Sequence, residues 1–289
     1  MFLFGSEPRG LRPGGQDRQG TGRGKGRRGA GWKWRLRWAS KAPFLSSGEP
    51  QDRPMIFDPL YMLIVGVGLV LGFLASAKVK STAAYYSRIG TRRGYTGAQV
   101  AEAILRANGI QDVKIEAVSG QLTDHYDPRN KTLRLSETVY GANSITAVGV
   151  AAHEVGHAIQ HAHGYGPLKF RSAWVPVAGF GTNLGIWIIM AAAMMGGVSG
   201  SPMLTWIGLA MFATSTVFTL VTLPVEFDAS RRAMITLEQS GVLAADELPG
   251  ARSVLNAAAM TYVAAFVSSL LVLLYWAMRL GLFSRSNDD

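Results

Sequence analysis

The run His153-Glu154-Val155-Gly156-His157 combines residue types and a spacing that suit metal-assisted hydrolysis. Side chains four positions apart lie on one face of a helix, so the two imidazoles can bind one Zn²⁺ ion. The glutamate between them can then act as a general base and take a proton from a zinc-bound water that attacks a carbonyl carbon. All five histidines of the chain lie between His125 and His163, so we expect the chemistry to be confined to this short segment.

A catalytic zinc site needs a third protein ligand, and the chain has no cysteine, so this ligand must be His, Asp or Glu. Glu226 is the favoured candidate. Two uncharged apolar stretches precede it, and as a membrane hairpin they would return residue 226 to the side where His153 and His157 lie. Its alternative role is that of an acid that stabilises a helix N-terminus after Pro224.

His163 is the rival third ligand because it stands six residues after His157, as in the extended pattern His-Glu-x-x-His-x-x-Gly-x-x-His. That pattern has a glycine at the turn, where this chain has Gln160. We therefore expect the helix to continue and His163 to rotate away from the metal. His161 shares the metal face one turn further on, which suits a contact with a ligand or with substrate. The alternative for both histidines is an ordinary polar helix end.

Two further residues are candidates for a supporting role at the same site. Asp228 could orient a ligating histidine through a hydrogen bond, or it could be an ordinary solvated charge. His125 falls in a predicted hairpin, where it could contact the substrate or be an ordinary surface histidine.

Four stretches are apolar over the roughly 20 residues that a helix needs to cross a bilayer. They span 56–77, 175–198, 203–225 and 257–280. Basic residues follow the first and third stretches and precede the second, whereas the loop between the second and third is uncharged. The positive-inside rule therefore predicts that 78–173 and 226–256 lie in the cytoplasm, with both termini outside.

The polar segment 78–173 predicts a small α+β unit. Thr96 would cap an amphipathic helix over 97–108, followed by a strand at 113–118 and a hairpin formed by 122–126 and 131–135. Asn143 or Ser144 would then cap a long helix over 145–162 that carries His153 and His157. We expect the strand before this helix to be available for pairing with the backbone of a bound substrate.

The N-terminal segment 1–54 has a composition different from the rest. It holds twelve Lys and Arg residues against four acids, which accounts for +8 of the chain's net charge of +10. This Gly/Arg-rich segment predicts disorder, or translation from a misassigned start with Met55 as the true first residue. An arm that binds RNA or anionic lipid is the alternative. Since the remainder is nearly neutral, we expect no nucleic-acid partner for the protein as a whole.

Three segments together resemble the YugP-type neutral zinc metallopeptidases of bacterial membranes. They are the histidine run extended to His161, the preceding Leu122-Thr123-Asp124-His125-Tyr126-Asp127-Pro128, and Leu223-Pro224-Val225-Glu226-Phe227. The resemblance covers about 55–283. A more distant similarity is to HtpX-type membrane proteases, which have an acid four residues after the corresponding glutamate, where this chain has Ser230.

The resemblance implies a mainly α-helical membrane protein with four transmembrane helices and a small α+β zincin-like catalytic unit. It also implies one zinc ion bound by His153, His157 and Glu226, with Glu154 as the base, in an enzyme of the bacterial inner membrane whose site faces the cytoplasm. The expected substrate is a polypeptide, such as a damaged membrane protein. The alternative is an inactive metal-binding membrane chaperone or scaffold, although metal binding alone does not require Glu154.

Overall fold

The computed structural model of the protein describes residues 58–195 and 200–279. The basic segment predicted over 1–54 and the start predicted at Met55 lie outside the described residues. Within those two ranges the chain forms seven helices and three strands. The helices are α1 (Pro59–Tyr86), α2 (Gly97–Ala107), α3 (Glu137–Tyr140), α4 (Ile145–Ala162), α5 (Gly166–Met194), α6 (Pro202–Ser240) and α7 (Leu248–Arg279); the strands are β1 (Lys114–Val118), β2 (His125–Asp127) and β3 (Thr132–Ser136).

Four of the helices, α1, α5, α6 and α7, are long and apolar enough to cross a membrane, which confirms the number predicted for the part of the chain that is described. Their outward faces carry large apolar side chains that are mostly exposed, among them Leu69, Phe73, Phe180 and Trp187. Such continuous apolar surface is stable when it faces lipid rather than water. The protein is therefore a helical membrane protein.

Helix α6 continues well beyond the apolar stretch predicted to end at residue 225. Pro224 lies inside the helix, and Glu226 follows it without an interruption in helical structure. Glu226 is therefore not the first-turn acid of a new helix, the alternative that the proline suggested. The helix ends only at Ser240, followed by Gly241 in the left-handed conformation at φ 59°.

The hairpin of α5 and α6 packs through glycines. Gly181 and Gly185 on α5 face α6 so closely that a Cβ atom at Gly185 would lie 2.8 Å from the backbone nitrogen of Phe212. Gly208 on α6 meets Ile189 in the same way, with 2.7 Å to its side chain. Small residues four apart allow membrane helices to approach with their backbones nearly in contact. The antiparallel course of this hairpin brings Glu226, in the second half of α6, back to the level of the start of α5.

The predicted α+β unit is present between α1 and α5. Thr96 and Gln99 form a reciprocal capping box at the start of α2, and Ser144, rather than Asn143, caps α4 by accepting from the nitrogen of Ala147. Helix α4 has the predicted bounds. It packs against α2 on one side and against α6 and α7 on the other, so it connects the polar unit to the membrane helices.

In the sheet, β3 is the central strand, in the order β1-β3-β2. It pairs antiparallel with β2, as the predicted hairpin requires, and in parallel with β1, which the sequence did not indicate. Both edges of β3 are thus occupied. The prediction that the strand before α4 is free to pair with substrate is therefore wrong, and β2 is the edge strand in contact with α4.

Candidate metal centre

The two histidines of α4 and the glutamate of α6 meet where these helices cross. The Nε2 atom of His153 lies 3.3 Å from Oε2 of Glu226, and Nε2 of His157 lies 3.6 Å from the same oxygen. One ligand atom from each of the three residues falls within 4.8 Å of the others. All three side chains are nearly buried, and Glu226 is only 2 % exposed. A single metal ion could therefore be bound by all three.

Gly156, inside the histidine run, makes this meeting possible. A Cβ atom on Gly156 would lie 2.5 Å from the carbonyl oxygen of Ala229, well inside van der Waals contact. The backbones of α4 and α6 thus touch between the two histidines. Because α6 passes so close, Glu226 reaches both imidazoles.

Each ligand candidate is held by a neighbour on the side away from the centre. Nδ1 of His153 is 3.1 Å from Oγ of Ser230, and Nδ1 of His157 is 3.0 Å from Oε1 of Gln160. Both neighbours can accept a hydrogen bond from a protonated Nδ1. Nε2 of each ring then directs its lone pair at the centre. Hydrogen bonds of this kind orient histidine ligands in metal sites.

The acidic ligand candidate is also held from outside the cluster. The Arg171 guanidinium, at the start of α5, lies 3.4 Å from Oε1 of Glu226, so Oε2 alone faces the histidines. Tyr262 on α7 is close enough to interact with the same carboxylate. Sequence reasoning missed Arg171, Tyr262 and Gln160, because nothing in their local sequence indicates which helix they face.

Glu154 is buried on α4 beside this cluster, and its charge acts on His157. Burial alone would lower the pKa of His157. A hydrogen bond that Glu226 accepts and the negative charges of Glu154 and Glu226 outweigh burial and raise the pKa of His157 above its ordinary value. The electrostatic environment of the centre thus favours positive charge, as the binding of a metal cation requires.

The remaining histidines lie outside the cluster. His163 is the C-terminal cap of α4, and its Nδ1 is 3.4 Å from a guanidinium nitrogen of Arg232. As predicted, α4 continues through Gln160, and it ends at Ala162, with Gly164 at φ 65°. His125 is exposed on β2 and its Nδ1 lies 2.8 Å from the carbonyl oxygen of Thr123.

His161 is bound to the edge strand of the sheet rather than to the centre. The hydroxyl of Tyr126 lies 2.8 Å from its Nδ1. Burial, together with the nearby charges of Asp112 and Asp127, raises the pKa of Tyr126 to about 12, so this hydroxyl keeps its proton. This bond fixes β2 against α4.

The chemistry of these donors fits zinc. Two imidazole nitrogens and one carboxylate oxygen are a ligand set of catalytic zinc sites, which leave a fourth position for water or substrate. The partners on the far side of each ligand, Ser230, Gln160 and Arg171, are the supporting contacts that such sites use.

Sequence comparison identifies the class of protein to which this fold and site belong. Residues 61–281 match the model of a family described as "putative neutral zinc metallopeptidase". The match includes all four long helices and the whole cluster. The chain belongs to this family, and the resemblance deduced from its motifs is confirmed.

One named relative is similar over nearly the same part of the chain. The "putative membrane protease YugP" of Bacillus subtilis is 42 % identical over 230 residues, which is 80 % of this chain and 99 % of the relative. No solved structure gives a significant match.

Proposed function

We propose that this protein is a zinc-dependent endopeptidase of the bacterial inner membrane, with Glu154 as its general base. The observation that carries the proposal is the convergence of ligand atoms from His153, His157 and Glu226 within 4.8 Å of one another. Glu154 is buried on α4, next to His153 in sequence. Family membership supports peptide hydrolysis as the reaction. One ion per chain is the stoichiometry that three ligands in a single cluster suggest.

Zinc bound in such a set supplies Lewis acidity, which activates water and stabilises negative charge on the carbonyl oxygen of the substrate. His153, His157 and Glu226 would hold it. Glu154 would accept the proton of the attacking water and deliver it to the amide nitrogen that leaves. Arg171 and Tyr262 lie next to Glu226 and would contribute positive charge and a hydroxyl group to the centre.

The position of the centre supports a substrate that comes from the membrane. Glu226 follows directly on the apolar stretch of α6, and besides the two histidines of α4 its neighbours Arg171 and Tyr262 come from the long apolar helices α5 and α7. A polypeptide segment that leaves the bilayer would reach the centre first. We infer that unfolded or misassembled membrane proteins are cleaved, on the cytoplasmic side where the flanking basic residues favour placing α4.

Replacing Glu154 by Gln tests this mechanism, because it removes the base and preserves the shape of the side chain. We expect Glu154→Gln to lower cleavage of an unfolded membrane protein by about 10²–10⁴-fold, with zinc still bound. The measurements are a gel-based cleavage assay in detergent and metal analysis of the same sample. Glu137→Gln, at an exposed acid on α3, is the matched control and should leave both unchanged.

Two outcomes would overturn the proposal. If Glu154→Gln cleaves as fast as the unmodified protein, Glu154 is not the base. If the unmodified protein binds zinc but cleaves no polypeptide, a metal-binding chaperone or scaffold replaces the enzyme.

A further inference from the structure

The structure assigns Gln160 as a positioning residue that connects the charge of Asp228 to His157 through its amide group. This inference rests on the proposed zinc site, whose ligands it supports. Gln160 is fully buried on α4, three residues after His157. A buried amide has to find partners for its oxygen and for its two hydrogens, so its contacts define its role.

All three hydrogen-bonding positions of Gln160 are used. Its Oε1 lies 3.0 Å from Nδ1 of His157. Its Nε2 donates to the carbonyl oxygen of Val225 at 2.8 Å and to Oδ2 of Asp228 at 2.9 Å. The carbonyl oxygen of Val225 can only accept a hydrogen bond, and the same is true of Asp228 when it is ionised. The opposite orientation of the amide would place its oxygen against two acceptors, so the amide is fixed in one orientation.

This fixed orientation decides which nitrogen of His157 carries the proton. Since Oε1 of Gln160 is an acceptor, Nδ1 of His157 must donate, and Nε2 keeps its lone pair for the centre. Gln160 also connects the two ligand-bearing helices, because Val225 directly precedes Glu226 on α6. It thereby holds His157 and Glu226 in register.

The negative charge that polarises this amide belongs to Asp228. Arg231 and Arg232 both form ion pairs with Asp228, and these contacts hold its carboxylate beside Gln160. Charge passed through a hydrogen-bonded chain makes the ligating nitrogen a stronger donor. Asp228 therefore acts on His157 through the Gln160 amide, while the two guanidinium groups offset part of its charge. The sequence offered Asp228 either as a residue that orients a histidine or as a solvated charge, and Gln160 is the residue that lies between it and His157.

The test measures zinc affinity rather than activity, by competition with a chelator of known affinity. It is made in the Glu154→Gln background, so cleavage plays no part. Gln160→Met preserves length without hydrogen bonds and should weaken zinc binding about 10–100-fold. Gln239→Met, at an exposed position on α6, is the matched control and should have no effect.

A charge exchange separates positioning from mere packing. Gln160→Glu alone places a second carboxylate against Asp228 and should weaken zinc binding. Combined with Asp228→Asn, it moves the single negative charge one position closer to His157, with the new amide as a donor. The double variant should bind zinc more tightly than Gln160→Glu alone, but less tightly than the parent, because the carbonyl oxygen of Val225 loses its donor.

The inference is overturned if Gln160→Met binds zinc as tightly as its parent, or if the double variant is no better than Gln160→Glu. A different result would contradict the proposed zinc site itself: either the parent binds no zinc, or its zinc remains bound after Glu226→Ala. This result is distinguishable from failure of the Gln160 assignment.

Discussion

At the scale of single residues, the centre is defined as much by supporting side chains as by its ligands. Ser230 lies four residues after Glu226 on α6, and its hydroxyl oxygen is 3.1 Å from Nδ1 of His153. A hydroxyl accepts the proton of the ring without adding charge. The two histidines are thus supported differently, His153 by a neutral group and His157 by an amide that is bound to a carboxylate.

Removing this hydroxyl should affect the metal more than the fold. We expect Ser230→Ala to weaken zinc binding about 10-fold, since His153 loses the acceptor that fixes its ring. Chelator competition measures the change. Ser253→Ala on α7, whose hydroxyl donates to the carbonyl oxygen of Pro249, is the control and should bind zinc normally. Unchanged affinity in Ser230→Ala would show that the hydroxyl plays no part.

The ligand candidates could be predicted from sequence because His153, Glu154 and His157 belong to one helix with a fixed period. The supporting residues could not. Gln160 attracted attention only as a departure from a glycine pattern, and its contact with His157 depends on how α6 is rotated about its axis. Arg171 contacts Glu226 from a third helix, and no local pattern encodes a contact between two helices 55 residues apart in sequence.

At the scale of elements, the crossing of α4 and α6 is the critical contact. Gly156→Ala would place a methyl group against the carbonyl of Ala229, at 2.5 Å, and force the helices apart. We expect this overpacking to cost about 1–3 kcal/mol, more than the helix propensity gained by alanine. Thermal unfolding in detergent, followed together with zinc content, should show both decreasing.

Gly149→Ala is the control on the same helix. A Cβ atom there would lie 3.6 Å from the nearest atom of Ala251, an ordinary contact, so stability should be unchanged or slightly higher. Equal behaviour of the two variants would show that the approach at Gly156 does not limit the site.

The predicted helices and strands were accurate where residues next to an element determine its start. They failed where contacts between distant segments determine the structure. The caps of α2 and α4 lie in residues next to the helix, so their starts could be deduced from Thr96 and Ser144. Pro224 is a strong local signal for a helix start, yet α6 continues through it. Likewise, the place of β3 between β1 and β2 depends on a parallel pairing across 18 residues, which alternation of side chains does not reveal.

At the scale of the whole molecule, the fold places a buried polar centre at the end of a bundle of apolar helices. The proposed orientation puts this centre on the cytoplasmic side. The absence of cysteine from the sequence makes the orientation simple to test, because a single introduced thiol is the sole reactive site.

We expect Ser119→Cys, in the exposed loop after β1, to react with a membrane-impermeant maleimide only after the cells are permeabilised. Ser201→Cys, at the start of α6 on the opposite side, should react in intact cells. The two substitutions are chemically identical and thus control for each other. The reverse labelling pattern would contradict the orientation that the positive-inside rule favours.

The most direct measurement of the central claim is the zinc content of purified protein and two variants, Glu226→Ala and His163→Ala. Three ligands on α4 and α6 predict one zinc ion per chain in the unmodified protein and in His163→Ala, and its loss in Glu226→Ala. Zinc that remains in Glu226→Ala, or that is lost in His163→Ala, would contradict the account.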